Sequence, residues 1–132
     1  MTESSSPRVR PLIALAEDNA ELRALLSAAL EIVGHRVVQA ETGRHLVDEV
    51  RRLLDAGESL RLIITDVRMP TLGGLDAARL PREAGDSTPI IFMTAFGDAW
   101  TRSQAQELGA ILLDKPLSLG VLRQAVKMAT AS

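Results

Sequence analysis

Five short apolar runs constrain the fold of this chain more than any other feature. They are Leu12-Ile13-Ala14-Leu15-Ala16, Val37-Val38, Leu62-Ile63-Ile64-Thr65, Ile90-Ile91-Phe92-Met93 and Ile111-Leu112-Leu113. Runs this short, apolar at successive rather than alternate positions, suit strands covered on both faces. Segments of helical spacing lie between them. Leu22, Leu25, Leu26 and Ala29 follow Asn19, a favourable N-cap, and Gly34 closes that helix. A second helix is expected over 43–56, with Leu46, Val47, Val50, Leu53 and Leu54 on its buried face and Gly57 after it. A short third helix is expected around Leu75 to Leu80. A fourth, capped by Asp98, runs to Leu108 with a thin stripe of Ala99, Trp100, Ala105 and Leu108. The last follows Ser118 and turns Leu119, Leu122, Ala125, Val126 and Ala129 inward. Strands alternating with helices predict an α/β protein, a doubly wound five-stranded parallel sheet with helices on both faces.

The chain has 132 residues, enough for one such domain. The folded unit is expected over 11–132, and the polar, Ser-rich stretch 1–10 is expected to be a disordered lead-in. Nothing after the last helix offers an output domain, so a stand-alone module is expected. With 15 basic and 17 acidic residues the net charge is −2, which gives no field to draw the protein onto nucleic acid or an anionic membrane. The absence of Cys excludes disulfides, thiolate metal sites and cysteine nucleophiles. No apolar run reaches the roughly 18 residues of a membrane span, and no signal-peptide pattern is present. A cytoplasmic address follows as the default.

Open parallel sheets carry their sites beyond the carboxyl ends of the strands. The polar residues at those ends are Glu17-Asp18, the Ala40-Glu41 corner, Asp66, Thr94 and Lys115. Crowded carboxylates repel by about 1–4 kcal/mol per close pair at surface-like dielectric. A hard divalent cation relieves that repulsion, and an oxygen-only ligand set points to Mg²⁺. Such a cation also neutralises charge on a transferring phosphoryl group. Asp66, on the middle strand, is placed to be the nucleophile, with Lys115 as a second positive point and Thr94 as a hydrogen-bond donor.

These residues resemble the response-regulator receiver family of two-component signalling. Its pattern is an acidic pair, an Asp, a Thr or Ser and a Lys-Pro after strands 1, 3, 4 and 5. Here these are Glu17-Asp18, Asp66, Thr94 and Lys115-Pro116. Asp66-Val67-Arg68-Met69-Pro70 and Met93-Thr94-Ala95-Phe96-Gly97-Asp98 look like receiver loops, and the resemblance covers about Leu12 to Ala129. It implies a flavodoxin-like (βα)5 fold and a phosphoryl group accepted on Asp66 from a histidine kinase or histidine phosphotransfer protein. It further implies Mg²⁺ on Asp18, Asp66 and the backbone carbonyl of Arg68, with Glu17 binding directly or through water. A cis Lys115-Pro116 bond is implied too. By the same resemblance, Thr94, Ala95, Leu112 and Pro116 belong to the switching machinery, and Arg68 and Phe96 tune the lifetime of the phosphoryl group. A downstream protein would bind the face of helix 4, strand 5 and helix 5. Such a module signals rather than turns over outside substrates.

The sequence departs from the family pattern in places. Leu112 stands where a switch aromatic is usual, and the stretch Gly109 to Lys115 looks one residue short. Gly73 replaces the usual acidic residue before Gly74, and the second helix region, up to Arg61, looks long. A haloacid-dehalogenase-type phosphatase would need a second Asp at position 68, which is Arg. A flavodoxin-like cofactor carrier would need stacking aromatics, yet aromatics are 2% with no Tyr. A degenerate receiver, binding partners without phosphorylation, is the remaining alternative. His35, in the second strand, and His45, on a helix, read as structural or exposed. Arg51, Arg52 and Arg61 read as a solvated face.

Overall fold

The structure, a computed structural model, describes residues 10–131. The expected lead-in, Arg10 apart, lies outside the described residues. Ten elements alternate: β1 (Leu12–Ala16), α1 (Ala20–Ile32), β2 (Arg36–Ala40), α2 (Gly43–Asp55), β3 (Leu60–Asp66), α3 (Gly74–Glu83), β4 (Ile90–Thr94), α4 (Ala99–Glu107), β5 (Ile111–Asp114) and α5 (Leu119–Thr130). The five strands form one parallel sheet in the order β2-β1-β3-β4-β5. This is the doubly wound arrangement expected from the alternation, in the flavodoxin-like strand order that the resemblance implies.

Side chains alternate across a strand, so each buried strand feeds two cores. Ile13, Leu15, Leu62, Ile64, Ile91 and Met93 pack beneath α1 and α5. Ala14, Ala16, Ile63, Ile90 and Phe92 face the other way, towards α2, α3 and α4. Every residue of β1 and β4 is buried, which is why their sequences show no polar alternation. Chain order reverses direction across the sheet at the β1–β3 boundary. The carboxyl ends of β1 and β3 therefore flank the crevice where such sheets place their sites.

Three sequence expectations are corrected. Leu25 is 54% exposed and Leu54 is also exposed, so the inward faces of α1 and α2 rest on Leu26, Leu30, Leu46, Val47, Val50 and Leu53. The apolar character of Leu25 and Leu54 outran the helical angle at which they stand. The third helix runs through Pro81 to Glu83, beyond the expected end at Leu80. Proline lacks the amide that would bond the Ala77 carbonyl, yet the helix continues and closes with the Ala84 amide on the Leu80 carbonyl at 3.2 Å. On α4, Thr101 and Ala105 are the buried residues while Trp100 is 62% exposed. Ala105 and Leu108 pack inward as expected, while Ala99 and Trp100 are exposed and Thr101 is buried in their place.

Polar ties compensate for the small apolar face of α4. Arg102 reaches both carboxylate oxygens of Asp114 at 3.3 and 3.2 Å, Arg79 of α3 bonds Gln104, and Arg82 donates to the Leu108 carbonyl at 3.2 Å. His35 sits just before β2 rather than within it, with its Nδ1 buried and unpartnered. Burial, and then the charge of Arg61, hold its pKa below the ordinary value. His45 accepts from the Glu41 backbone and lies 3.4 Å from Glu49, a structural role. Arg51, Arg52 and Arg61 are exposed. No helix among the described residues is long and apolar enough to cross a membrane.

Candidate functional site

The site is assembled at the carboxyl edge because β1, β3, β4 and β5 each end there on, or next to, a polar residue. Glu17 follows β1 and is only 1% exposed. Its amide donates to the Ala40 carbonyl at 3.1 Å, which extends the parallel β1–β2 pairing one residue past Ala16. One carboxylate oxygen accepts from the Asn19 amide at 3.0 Å, and the other from Lys115 Nζ at 2.8 Å. The Arg23 guanidinium donates to the Glu17 carbonyl at 2.7 Å. Asp18, next along, is exposed.

Asp66 ends β3 and is 6% exposed. Its Oδ2 lies 2.6 Å from Lys115 Nζ, and its Oδ1 accepts from the Arg68 amide at 3.2 Å. Thr94 ends β4, fully buried. Its hydroxyl oxygen accepts from the Phe96 amide at 3.0 Å, and its carbonyl accepts from the Lys115 amide at 2.7 Å. That last bond extends the β4–β5 pairing and carries Lys115 over the sheet edge towards β3 and β1. The Lys115-Pro116 bond is cis.

Electrostatics follow from burial. Desolvation pushes the Glu17 carboxyl above its ordinary value, against the bonds from Lys115 and Asn19 that pull it down. The nearby charge of Asp66 adds to the rise. Burial alone would lower Lys115, but its bonds to Asp66 and Glu17 outweigh that and raise it. Lys115 is therefore held as a cation between two carboxylates.

Carboxylate oxygens of Glu17, Asp18 and Asp66 lie within 4.8 Å of one another. Lys115 balances part of this charge, and exposed Asp18 leaves the cluster open on one side. An all-oxygen donor set around a residual negative charge fits Mg²⁺. Glu41 is not part of the cluster. It lies at the β2 end with its amide turned to His45. The Arg68 guanidinium stacks 5.6 Å over the Phe96 ring, and both residues are exposed beside the site. Ala95 and Pro116 are exposed too, and Leu112 is half-buried against the α2–α3–α4 core.

The structure thus brings together Glu17, Asp18, Asp66 and Lys115, with Thr94 buttressing Lys115. Sequence reasoning missed two supports. One is the Arg102–Asp114 tie, which joins residues twelve apart in sequence and has no local signal. The other is Gly74, whose amide donates to the Val67 carbonyl at 2.8 Å just past Asp66. The Gly73-Gly74 pair was visible, but the need for a close backbone approach was not.

A parallel α/β sheet with an acid trio and a lysine at its carboxyl edge defines a flavodoxin-like domain with an acidic site. Comparison with known proteins gives the family. Residues 13–127 match the response regulator receiver domain model, and the chain belongs to that family. It is 35% identical over 116 residues to response regulator protein PilR of Pseudomonas aeruginosa, covering 87% of this chain and 25% of that protein. It is 33% identical over 129 residues to response regulator protein TodT of Pseudomonas putida, covering 94% of this chain and 54% of that one. Among solved structures, a response regulator receiver protein from Pseudomonas putida superposes with a TM-score of 0.77 at 30% identity, over 91% of this chain and 98% of that one. The chemotaxis protein CheY4 of Vibrio cholerae has a TM-score of 0.81 at 22% identity, over 92% and 99%, and supports the fold alone. The chain spans a quarter to about half of the curated relatives named here. Receiver domains are signalling modules that interact with histidine kinases and downstream targets.

Proposed function

We propose that Asp66 accepts a phosphoryl group from the phosphohistidine of a histidine kinase or phosphotransfer protein. The observation that carries this reading is the Asp66 carboxylate, held 2.6 Å from Lys115 Nζ beside the carboxylates of Glu17 and Asp18. A carboxylate oxygen of Asp66 forms the new P–O bond as the P–N bond to the donor imidazole breaks. Lys115 meets the incoming phosphoryl charge, and the Thr94 hydroxyl has a hydrogen to donate to a phosphoryl oxygen. Glu17, Asp18, Asp66 and the Arg68 carbonyl would hold Mg²⁺, which neutralises charge on the transferring group when bound. The receiver unit extends over 11–132, and its output is a contact with a protein target through the α4–β5–α5 face. Support for that face is the slight burial of α4 and its tether from Arg102 to the β5 end next to Lys115.

Acetyl phosphate with Mg²⁺ is expected to add the mass of one phosphoryl group to the wild-type chain and nothing to Asp66→Asn. Neither Arg68 nor Phe96 offers an acid or amide to orient a water, so the adduct is expected to persist on the timescale of intact-mass measurement. Equal modification of both proteins overturns the assignment.

Metal binding has its own readout. Ligand bound only by the native state stabilises it by about 2.7 kcal/mol at a hundredfold excess over the dissociation constant. Mg²⁺ is expected to raise the melting temperature of the wild type and to raise that of Asp18→Asn much less. An undiminished rise in the variant removes Asp18 from the ligand set.

A further inference from the structure

The peptide between Glu17 and Asp18 presents its carbonyl to Arg23, whose Nη1 donates to it at 2.7 Å. The next peptide, between Asp18 and Asn19, is also held, because its amide donates to the Glu17 carboxylate at 3.0 Å. Asp18 thus stands between two pinned peptides, although its own side chain is exposed. Glu17 and Asp66 are buried and bonded to Lys115, so their carboxylates have little freedom. Asp18 is the open member of the acid trio, and what aims it is its backbone. Arg23 lies one turn into α1, where side chains lean back over the preceding turn, here towards the β1–α1 corner. Its Nε donates to the Gln39 side-chain oxygen at 3.3 Å, and the Gln39 side-chain amide donates in turn to Ser27 Oγ at 3.2 Å. Ser27, one further turn along α1, is buried. The series Ser27, Gln39, Arg23 therefore ties the guanidinium to a buried hydroxyl and to β2, with Nη1 left on the Glu17 carbonyl.

We propose, on the reading that Glu17, Asp18 and Asp66 hold Mg²⁺, that Arg23, braced by Gln39, is a positioning residue for Asp18. Rotation of the peptide before Asp18 turns its backbone and swings its carboxylate. Arg23 stops that rotation with a charge-assisted hydrogen bond, roughly twice as strong as a neutral one. A carboxylate already directed at the cluster does not have to be ordered when the metal binds, so less conformational entropy is lost at that moment. Charge acts in the other direction. The guanidinium is a cation near the site, and by charge alone it opposes a metal ion. Position and charge therefore predict opposite signs for the loss of Arg23, and the sign of the measured change separates them.

Titration of the ¹⁵N-labelled full chain with Mg²⁺ alone, followed by amide chemical shifts, tests the proposal. It reads affinity on the folded molecules, so a general loss of stability does not move it. Arg23→Gln is expected to weaken Mg²⁺ binding about tenfold, the low end for groups that orient metal ligands from behind. It does so while removing a positive charge, which a purely electrostatic role would turn into tighter binding. Gln39→Leu leaves every charge in place and is expected to weaken binding in the same direction by a smaller factor. Arg23→Lys keeps a cation and a donor, and is expected to fall between the wild type and Arg23→Gln. If the wild type binds Mg²⁺ and Arg23→Gln binds it as tightly or more tightly, the role of Arg23 is overturned and the metal site stands. Unchanged affinity in Gln39→Leu overturns the brace in the same way. A wild type that binds no Mg²⁺ overturns the metal site itself, and the role of Arg23 with it.

Discussion

Lys115→Met is expected to destabilise the fold by about 2–3 kcal/mol at neutral pH. Removing one member of a buried ion pair typically costs about 3–5 kcal/mol, because the other charge is left uncompensated. Lys115 is partly open to solvent, its side chain 19% exposed, so the lower figure applies. Methionine keeps the apolar stem and removes only the ammonium. What remains is Glu17, almost wholly buried, and Asp66 beside it, two carboxylates with no cation between them. The pH dependence then has a definite sign. Burial already raises the Glu17 carboxyl above its ordinary 4.5, and Lys115 is the strongest influence pulling it back. A raised carboxyl binds its proton more readily in the native state, so the variant regains stability as pH falls towards the ordinary value. It loses that stability as pH rises through the raised one. Urea midpoints near pH 5 and pH 7 measure this, and Mg²⁺ is expected to rescue the variant at the higher pH. A variant as stable as the wild type at both pH values would show that the pair carries no such weight.

The order of elements was legible in the sequence because a parallel sheet buried on both faces writes its strands as uninterrupted apolar runs. Leu12 to Ala16 and Ile90 to Met93 need no partner to be recognised. The residues of the site were legible for a related reason, since each is a polar residue within two positions of the end of such a run. Less legible was whatever depends on angle or on distant partners. Trp100 and Thr101 are adjacent, and sequence hydropathy favours burying the first, yet α4 buries the second. The orientation of α4 follows from its ties to Arg79, Arg82 and Asp114, which come from other elements. Glu41 was one of the strand-end residues, but its strand is at the edge of the sheet, away from the β1–β3 crevice. Lys115 follows the other edge strand, β5, and its long side chain still reaches Glu17 and Asp66, so side-chain reach as well as strand order decides which ends converge.

Gly74→Ala is expected to disrupt the site more than its size suggests. A Cβ at Gly74 would stand 1.9 Å from the Asp66 carbonyl oxygen and 2.9 Å from the Thr65 hydroxyl. The first obstacle is backbone, so no rotamer change relieves it. Either the start of α3 or the end of β3 has to move, and moving β3 displaces Asp66. The expected cost is about 3 kcal/mol or more, the range of overpacking that backbone must absorb. Gly43→Ala meets a similar block, 1.7 Å from the Leu72 carbonyl oxygen, where the start of α2 touches the loop after Pro70. Thr71, in that loop, already adopts a positive φ of 68°, which leaves the loop little room to yield. Gly120→Ala is the control. Near the start of α5 its added methyl would meet only the Ser118 hydroxyl at 3.9 Å, and replacing a helical glycine by alanine stabilises by about 0.5–1 kcal/mol. Thermal unfolding of the three variants is expected to separate them in sign, with Gly120→Ala above the wild type and the other two well below it. Acetyl phosphate labelling of whatever Gly74→Ala protein remains folded, at a temperature below its transition, is expected to fall as well, because the shift falls on the residue carrying the nucleophile. A folded Gly74→Ala protein labelled as fast as the wild type would mean that α3 yields instead and that Asp66 is positioned by β3 alone.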